Sequence, residues 1–112
     1  MLPTVSNLFP APAGHGEEDI LPLLQTPSLR LEHIVSKGQV SPRGFWYDQM
    51  DPEWVVLLRG SASLEFEEAG MLELRAGDSL TIPARLKHRV AAVSEDALWL
   101  ALHFRDTVPA EI

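Results

Sequence analysis

Ser61-Ala62-Ser63-Leu64-Glu65-Phe66-Glu67-Glu68-Ala69-Gly70-Met71-Leu72-Glu73-Leu74-Arg75 is the stretch whose pattern decides the fold. Ala62, Leu64 and Phe66 alternate with Ser63, Glu65 and Glu67; Ala69-Gly70 turns the chain; Leu72 and Leu74 then alternate with Glu73 and Arg75. A period of two on both sides of a glycine turn is the pattern of a β-hairpin with one apolar and one polar face.

The same period extends outward in both directions. Upstream, Trp54-Val55-Val56-Leu57-Leu58 is apolar on both faces and stops at Gly60, as a central strand packed on two sides would. Downstream, Gly77-Asp78 turns the chain into Ser79 to Ile82, which Pro83 ends; His88, Val90 and Ala92 begin a new alternation. Ser94-Glu95-Asp96 turns again into Ala97 to Phe104. Nearer the N-terminus, Leu29, Leu31, His33 and Val35 fall on one face of a strand and Arg30 and Glu32 on the other. After the turn-rich link Gly38 to Gly44, Phe45, Tyr47 and Gln49 alternate with Trp46 and Asp48, which predicts a further strand. About eight short strands at close spacing, with no helix longer than a couple of turns, predict an all-β antiparallel sandwich or barrel.

Residues 1 to 16 carry Pro3, Pro10, Pro12, Gly14 and Gly16, a density that breaks regular structure. Glu17, Glu18 and Asp19 precede Ile20, Leu21, Leu23 and Leu24, which predicts a short helix with acids at its positive end and Pro22 in its first turn. The expected organisation is an N-terminal arm and short helix over residues 1–27, packing on a barrel over 28–106, with a C-terminal tail at 107–112.

The chain has 112 residues, of which 46% are hydrophobic and 22% charged, the composition of one globular domain. No apolar run is long enough for a membrane span and no signal peptide opens the chain, so a soluble, cytoplasmic protein is expected. The absence of cysteine removes disulfides, thiolate catalysis, iron–sulfur clusters and Cys-ligated zinc. A formal charge of −7 argues against nucleic acid as a partner, and Arg85, Lys87 and Arg89 read as a solvated face. Neither G-x-S-x-G, nor a phosphate-binding glycine loop, nor H-E-x-x-H occurs.

Two segments place polar side chains beside core strands: Tyr47-Asp48-Gln49-Met50-Asp51-Pro52-Glu53-Trp54, and Gly77 to His88. Taken alone, Glu53 suits a strand-start carboxylate bonded to backbone or to Arg59, and His88 a histidine at the edge of the core. Asp48 and Asp51 are reserve oxygen donors on a loop. Trp99, Ala101 and His103 share one face of the last strand, and either face suits the interior; inside, His103 adds an imidazole to the site or acts as a general base, and outside it is a satisfied interface residue. His33 lies on an apolar strand face, and His15 falls in the arm. Phe45, Trp46, Tyr47 and Trp54 either wall a small ligand or fill the core.

Over residues 28 to 104 these segments resemble the cupin superfamily, in particular its small single-domain members. The first motif of that family, G-x5-H-x-H-x3,4-E-x6-G, is matched by Glu53 and Gly60, with Tyr47 and Gln49 at the histidine places and Ser41 at the opening glycine. The second, G-x5-P-x-G-x2-H-x3-N, is matched by Gly77, Pro83 and His88, with Arg85 at the inner glycine and Ala92 at the asparagine. The resemblance implies a double-stranded β-helix, the jelly-roll cupin barrel, whose mouth holds a divalent metal. Carried over position by position, the metal ligands are Gln49, Glu53 and His88, a thinner set than three imidazoles and a carboxylate, suited to iron, manganese, nickel or zinc.

Two functions follow as expectations. In the first, the metal orients a small polar metabolite that the protein acts on or senses, with Tyr47 or His103 handling protons in dioxygenase-like or isomerase-like chemistry. In the second, the site is degenerate and the protein is a metal-free ligand-binding or interaction module. Homodimerisation is expected under either, because the strand Trp54 to Leu58 has two apolar faces and a small barrel has one interior; the N-terminal arm and helix, or a partner subunit, supply the cover of the second face.

Overall fold

The structure, a computed structural model, describes residues 1–9, 19–36 and 38–105. Eight strands follow in order among them: β1 (Asp19–Thr26), β2 (Leu29–Val35), β3 (Glu53–Arg59), β4 (Ser61–Phe66), β5 (Gly70–Arg75), β6 (Ser79–Ile82), β7 (His88–Val93) and β8 (Leu98–Phe104). They form a five-stranded sheet, β1-β2-β8-β3-β6, and a three-stranded sheet, β5-β4-β7, with every pairing antiparallel. No strand pairing joins the two sheets among the described residues, so the architecture observed is a sandwich.

The expected hairpin is β4–β5, with Ala62 opposite Leu74 and Leu64 opposite Leu72. Its apolar face meets the inner face of the larger sheet. Val55 and Leu57 of β3, Ala62, Leu64 and Phe66 of β4, Leu74 of β5, Ile82 of β6 and Trp99 and Ala101 of β8 form one buried cluster. Inner and outer residues alternate along β3, where Glu53, Val55 and Leu57 are buried and Trp54, Val56 and Leu58 only half-buried.

Two expectations about local structure are corrected. No helix spans Ile20 to Leu24; these residues lie in β1, which pairs along its length with β2 from Asp19–Val35 to Thr26–Leu29. The backbone gains an antiparallel ladder there on both sides of a register shift between Pro22 and Leu24, and Pro22, which has no N–H to give, sits on an edge strand. Phe45 to Gln49 is not a strand either; its backbone pairing with β7 is an isolated bridge, Tyr47 to His88. The count of eight expected strands is thus reached with a different member. Residues 107–112 of the expected tail, and His15, lie outside the described residues.

Gly60 shows why the β3–β4 corner needs glycine. Its φ is 89°, and a Cβ there would strike Ser94 Oγ and come within 2.9 Å of the Ala97 backbone. Arg85, at a place where the motif carries glycine, holds a φ of 66° and so takes up the left-handed conformation with a full side chain.

Candidate functional site

Because directly opposed residues in a sheet share a face, the pairing register fixes what meets what. Ile82, Glu53, His103 and Arg30 form one transverse row across β6, β3, β8 and β2. The next row inward brings Val55, Ala101 and Glu32 together, and the one after it Leu57, Trp99 and Ile34. The inner face of the large sheet is therefore apolar in its depth and ionisable at one end. The face of β8 carrying Trp99, Ala101 and His103 is the one that lines the interior.

Between the sheets lies a cavity of about 140 Å³. Ile34, Val55, Leu64, Ile82, Val90 and Trp99 supply apolar walls, and Tyr47, Gln49, Glu53, His88, His103 and Glu32 the polar end. Tyr47, Gln49, Glu53, His88 and His103, from both motifs and the last strand, are brought to one place.

Glu53 is the centre of that end. Its Oε1 is 3.7 Å from His88 Nε2 and its Oε2 3.7 Å from His103 Nε2, and all three side chains are buried. His88 Nδ1–H donates to the Leu86 carbonyl at 2.9 Å, which turns the Nε2 lone pair toward Glu53. His103 Nε2–H donates to Glu32 Oε1 at 3.2 Å. Burial pushes the Glu53 carboxyl up from an ordinary 4.5 to about 7, with the Glu32 charge adding to the rise and Arg30 opposing it. Burial, followed by Arg30, lowers the His103 imidazole, while Glu32 and Asp51 act to raise it. Near neutrality the pair is a carboxyl poised between its two forms beside a neutral imidazole.

The rim is tied down from the second motif. Tyr47 and His88 exchange backbone hydrogen bonds, Tyr47 N–H to His88 O at 2.7 Å and His88 N–H to Tyr47 O at 3.1 Å, and their rings stack with centroids 5.5 Å apart. Phe45 meets Tyr47 edge-on at 4.8 Å. Arg85 N–H donates to the Gln49 carbonyl at 2.7 Å, and its guanidinium forks onto Asp48 at 2.9 and 3.2 Å. Asp48 is thereby spent on the rim. Trp54 points to the outer face, away from the cavity. Arg59 bonds the Asp96 carbonyl rather than Glu53, and His33 is buried on the outer face against the Leu8 carbonyl.

Glu32 is the member the sequence reading missed. With Arg30 it read as the polar, outward face of β2, whereas the face running Arg30, Glu32, Ile34 turns inward. The available signal was Ile34, an apolar residue on the supposedly polar side.

The donor chemistry does not assemble a metal centre as it stands. Among the described residues no group of three or more His, Cys, Asp or Glu side chains is placed to hold a metal ion. The two oxygens of Glu53 face different imidazoles, and His103 Nε2 is turned to Glu32. Of the expected ligands Gln49, Glu53 and His88, only one is an imidazole.

A family model described as "Cupin domain" matches residues 32–103. No curated protein matches the chain. Among solved structures, a Ralstonia eutropha protein described as a "putative mannose-6-phosphate isomerase" is 42% identical, with a TM-score of 0.87 over 93% of this chain and 100% of that one. A cupin superfamily protein from Desulfitobacterium hafniense is 17% identical, with a TM-score of 0.70 over 84% of this chain and 83% of that one. An RmlC-like cupin from Shewanella frigidimarina is 18% identical, with a TM-score of 0.66 over 84% and 81%. The last two share the fold.

Proposed function

The chain belongs to the cupin superfamily, and from that premise we propose that it is an acid–base cupin, isomerase-like, which moves a proton on a small polar metabolite held between its two sheets. The observation that carries this is Glu53, buried and set 3.7 Å from each of two imidazoles at the polar end of an apolar-walled cavity. A carboxyl with a pKa of about 7 has near-equal populations of base and acid at neutral pH, the condition under which one group can both take and return a proton.

In a 1,2-proton transfer on an α-hydroxy carbonyl compound, the Glu53 carboxylate takes the proton from the carbon beside the carbonyl. His103 Nε2–H exchanges its bond to Glu32 for one to the carbonyl oxygen and gives up its proton as charge develops there, and Nε2 later accepts the proton of the adjacent hydroxyl. Glu53 then returns its proton to the former carbonyl carbon. One C–H bond is broken and one formed, so no redox partner enters. The 3.7 Å gaps leave room for substrate oxygen or water between the groups. His88 Nε2 faces the Glu53 carboxyl at 3.7 Å, and the Tyr47 ring stacks on His88. The cavity, at about 140 Å³, is smaller than the roughly 300–1,000 Å³ of sites for drug-sized ligands, so the reacting part of the substrate is small. The isomerase description of the 42% identical neighbour supports the reaction class. The two sheets are taken as the halves of the jelly-roll barrel of the family.

The test is deuterium incorporation from D2O, followed by NMR, into mannose 6-phosphate, fructose and dihydroxyacetone in the presence of EDTA. Exchange catalysed by wild type and abolished in Glu53→Gln supports the reading. Binding of these compounds without exchange leaves a carrier.

A divalent metal held by Gln49, Glu53 and His88 is the second reading. What favours it is the Nδ1–H bond of His88 to the Leu86 carbonyl, which presents Nε2 inward as ligand imidazoles are presented. Such an ion would supply Lewis-acid polarisation of the carbonyl.

The second copy of the chain is the expected protein partner. On the outer face of the large sheet Leu31, Leu102 and Trp54 form one transverse row and Leu100 and Val56 adjoin it, all half-buried. A contiguous apolar face of this kind marks an interface.

A further inference from the structure

A second cavity, of about 200 Å³, opens at the ionisable end of the large sheet, where the β1–β2 turn meets the end of β8. Thr26, Ser28, Arg30, Asp51, His103 and Arg105 line it. Its walls are almost wholly polar, in contrast to the first cavity, and His103 belongs to both.

The charges in it are unevenly committed. Arg30 Nε donates to Glu32 Oε2 at 2.9 Å, and no further bond to its two Nη groups occurs among the described residues. The Arg105 guanidinium makes no ion pair or hydrogen bond among them, although its backbone N–H anchors the segment to the Ser28 carbonyl at 2.8 Å. Among the described residues, Asp51 is the one carboxylate lining the cavity. Two guanidinium groups with several unused donors, beside two hydroxyl-bearing residues, form a surface matched to a planar or tetrahedral oxyanion.

Position makes this more than a basic spot. Arg30, His103 and Glu53 are directly opposed on neighbouring strands, so Arg30 stands two strands from Glu53 on the same inner face. Strands lie about 4.8 Å apart, which puts the two backbone positions about 10 Å apart along the row. We propose that Arg30 and Arg105 form an oxyanion subsite that grips the phosphate or carboxylate of a small metabolite whose reacting end lies at Glu53. The ligand class is an anionic hydroxy-carbonyl compound, with the charge and the reacting carbon separated by three or four atoms. The link to Glu53 rests on the acid–base reading above; the subsite itself stands on the second cavity alone.

The test uses inorganic phosphate and acetate, followed by amide NMR shifts on the full chain. Expected is saturable binding in the millimolar range with shifts at Ser28, Arg30 and Arg105, about tenfold weaker in Arg105→Gln and unchanged in Arg43→Gln, an exposed arginine elsewhere. Preference for phosphate over acetate, or the reverse, identifies the anion. Absence of saturation at tens of millimolar, shifts located elsewhere, or equal weakening in both variants overturns the subsite. If phosphate binds but Glu53→Gln leaves deuterium exchange unaffected, the acid–base reading falls and the subsite stands. If exchange depends on Glu53 but phosphate does not bind, the reverse holds.

Discussion

Glu53 and His103 face each other across β3 and β8, with Oε2 3.7 Å from Nε2, and the same carboxylate presents its other oxygen to His88 at the same distance. The carboxyl therefore titrates in a buried place, where burial and the Glu32 charge raise it and Arg30 opposes the rise. Its folded pKa lies near 7 and its unfolded one near 4.5, so the folded state holds the extra proton between these values. The stabilisation from the protonated form is complete below pH 4.5 and is lost as pH rises through 7. Glu53→Gln keeps the shape and removes the charge. Denaturant unfolding should show the variant more stable than wild type at pH 8, by up to about 3 kcal/mol, and equal to it near pH 4. A gain that does not depend on pH would contradict the shift.

Gly60→Ala tests the corner between β3 and β4. The substitution combines a left-handed backbone at φ 89° with a contact on the Ala97 backbone and Ser94. A loss of about 2–4 kcal/mol in unfolding free energy is expected, and a variant as stable as wild type would mean the corner relaxes freely.

Arg85→Gly separates stability from rim geometry. Relief of the left-handed conformation contributes about 1 kcal/mol, and the lost ion pair with Asp48, largely exposed on the arginine side, is worth no more than about 1 kcal/mol. The melting temperature should hardly move. Amide hydrogen exchange at Tyr47 and Gln49 should nevertheless rise, because their segment loses its fork to the β6–β7 turn. Unchanged protection would show that the Tyr47–His88 bridge suffices alone.

Trp54→Lys addresses the outer face. Sedimentation of wild type is expected to give a dimer at micromolar concentration and the variant a monomer, with the cavity unaffected because Trp54 points away from it. A monomeric wild type would remove the second copy as the partner.

Much of this was legible in the alternation of side chains. β2, β4, β5, β7 and β8 follow from period-two patterns, β3 from a run apolar on both faces and β6 from the turn and proline that bound it, and the resemblance singled out Glu53, His88, Gln49 and Tyr47, which line one cavity. Two local preferences misled. Ile20 to Leu24 has helical spacing and acids before it, but pairing with β2 outweighs a helix too short to sustain itself. Phe45 to Gln49 alternates as strands do, yet it is held by one bridge and by side chains. Glu32 escaped notice because polar residues opposite an apolar strand face normally meet water, and only the pairing of β2 with β8 shows that its charged face closes the cavity.

The most direct test is deuterium exchange from D2O into small hydroxy-carbonyl compounds by metal-stripped protein, with elemental analysis of the same sample. Exchange at α-carbon positions that persists without metal and disappears in Glu53→Gln is the expected result. Exchange that appears only when a divalent ion is restored, with stoichiometric metal lost in His88→Ala, would contradict acid–base catalysis by the protein alone and establish the metal reading.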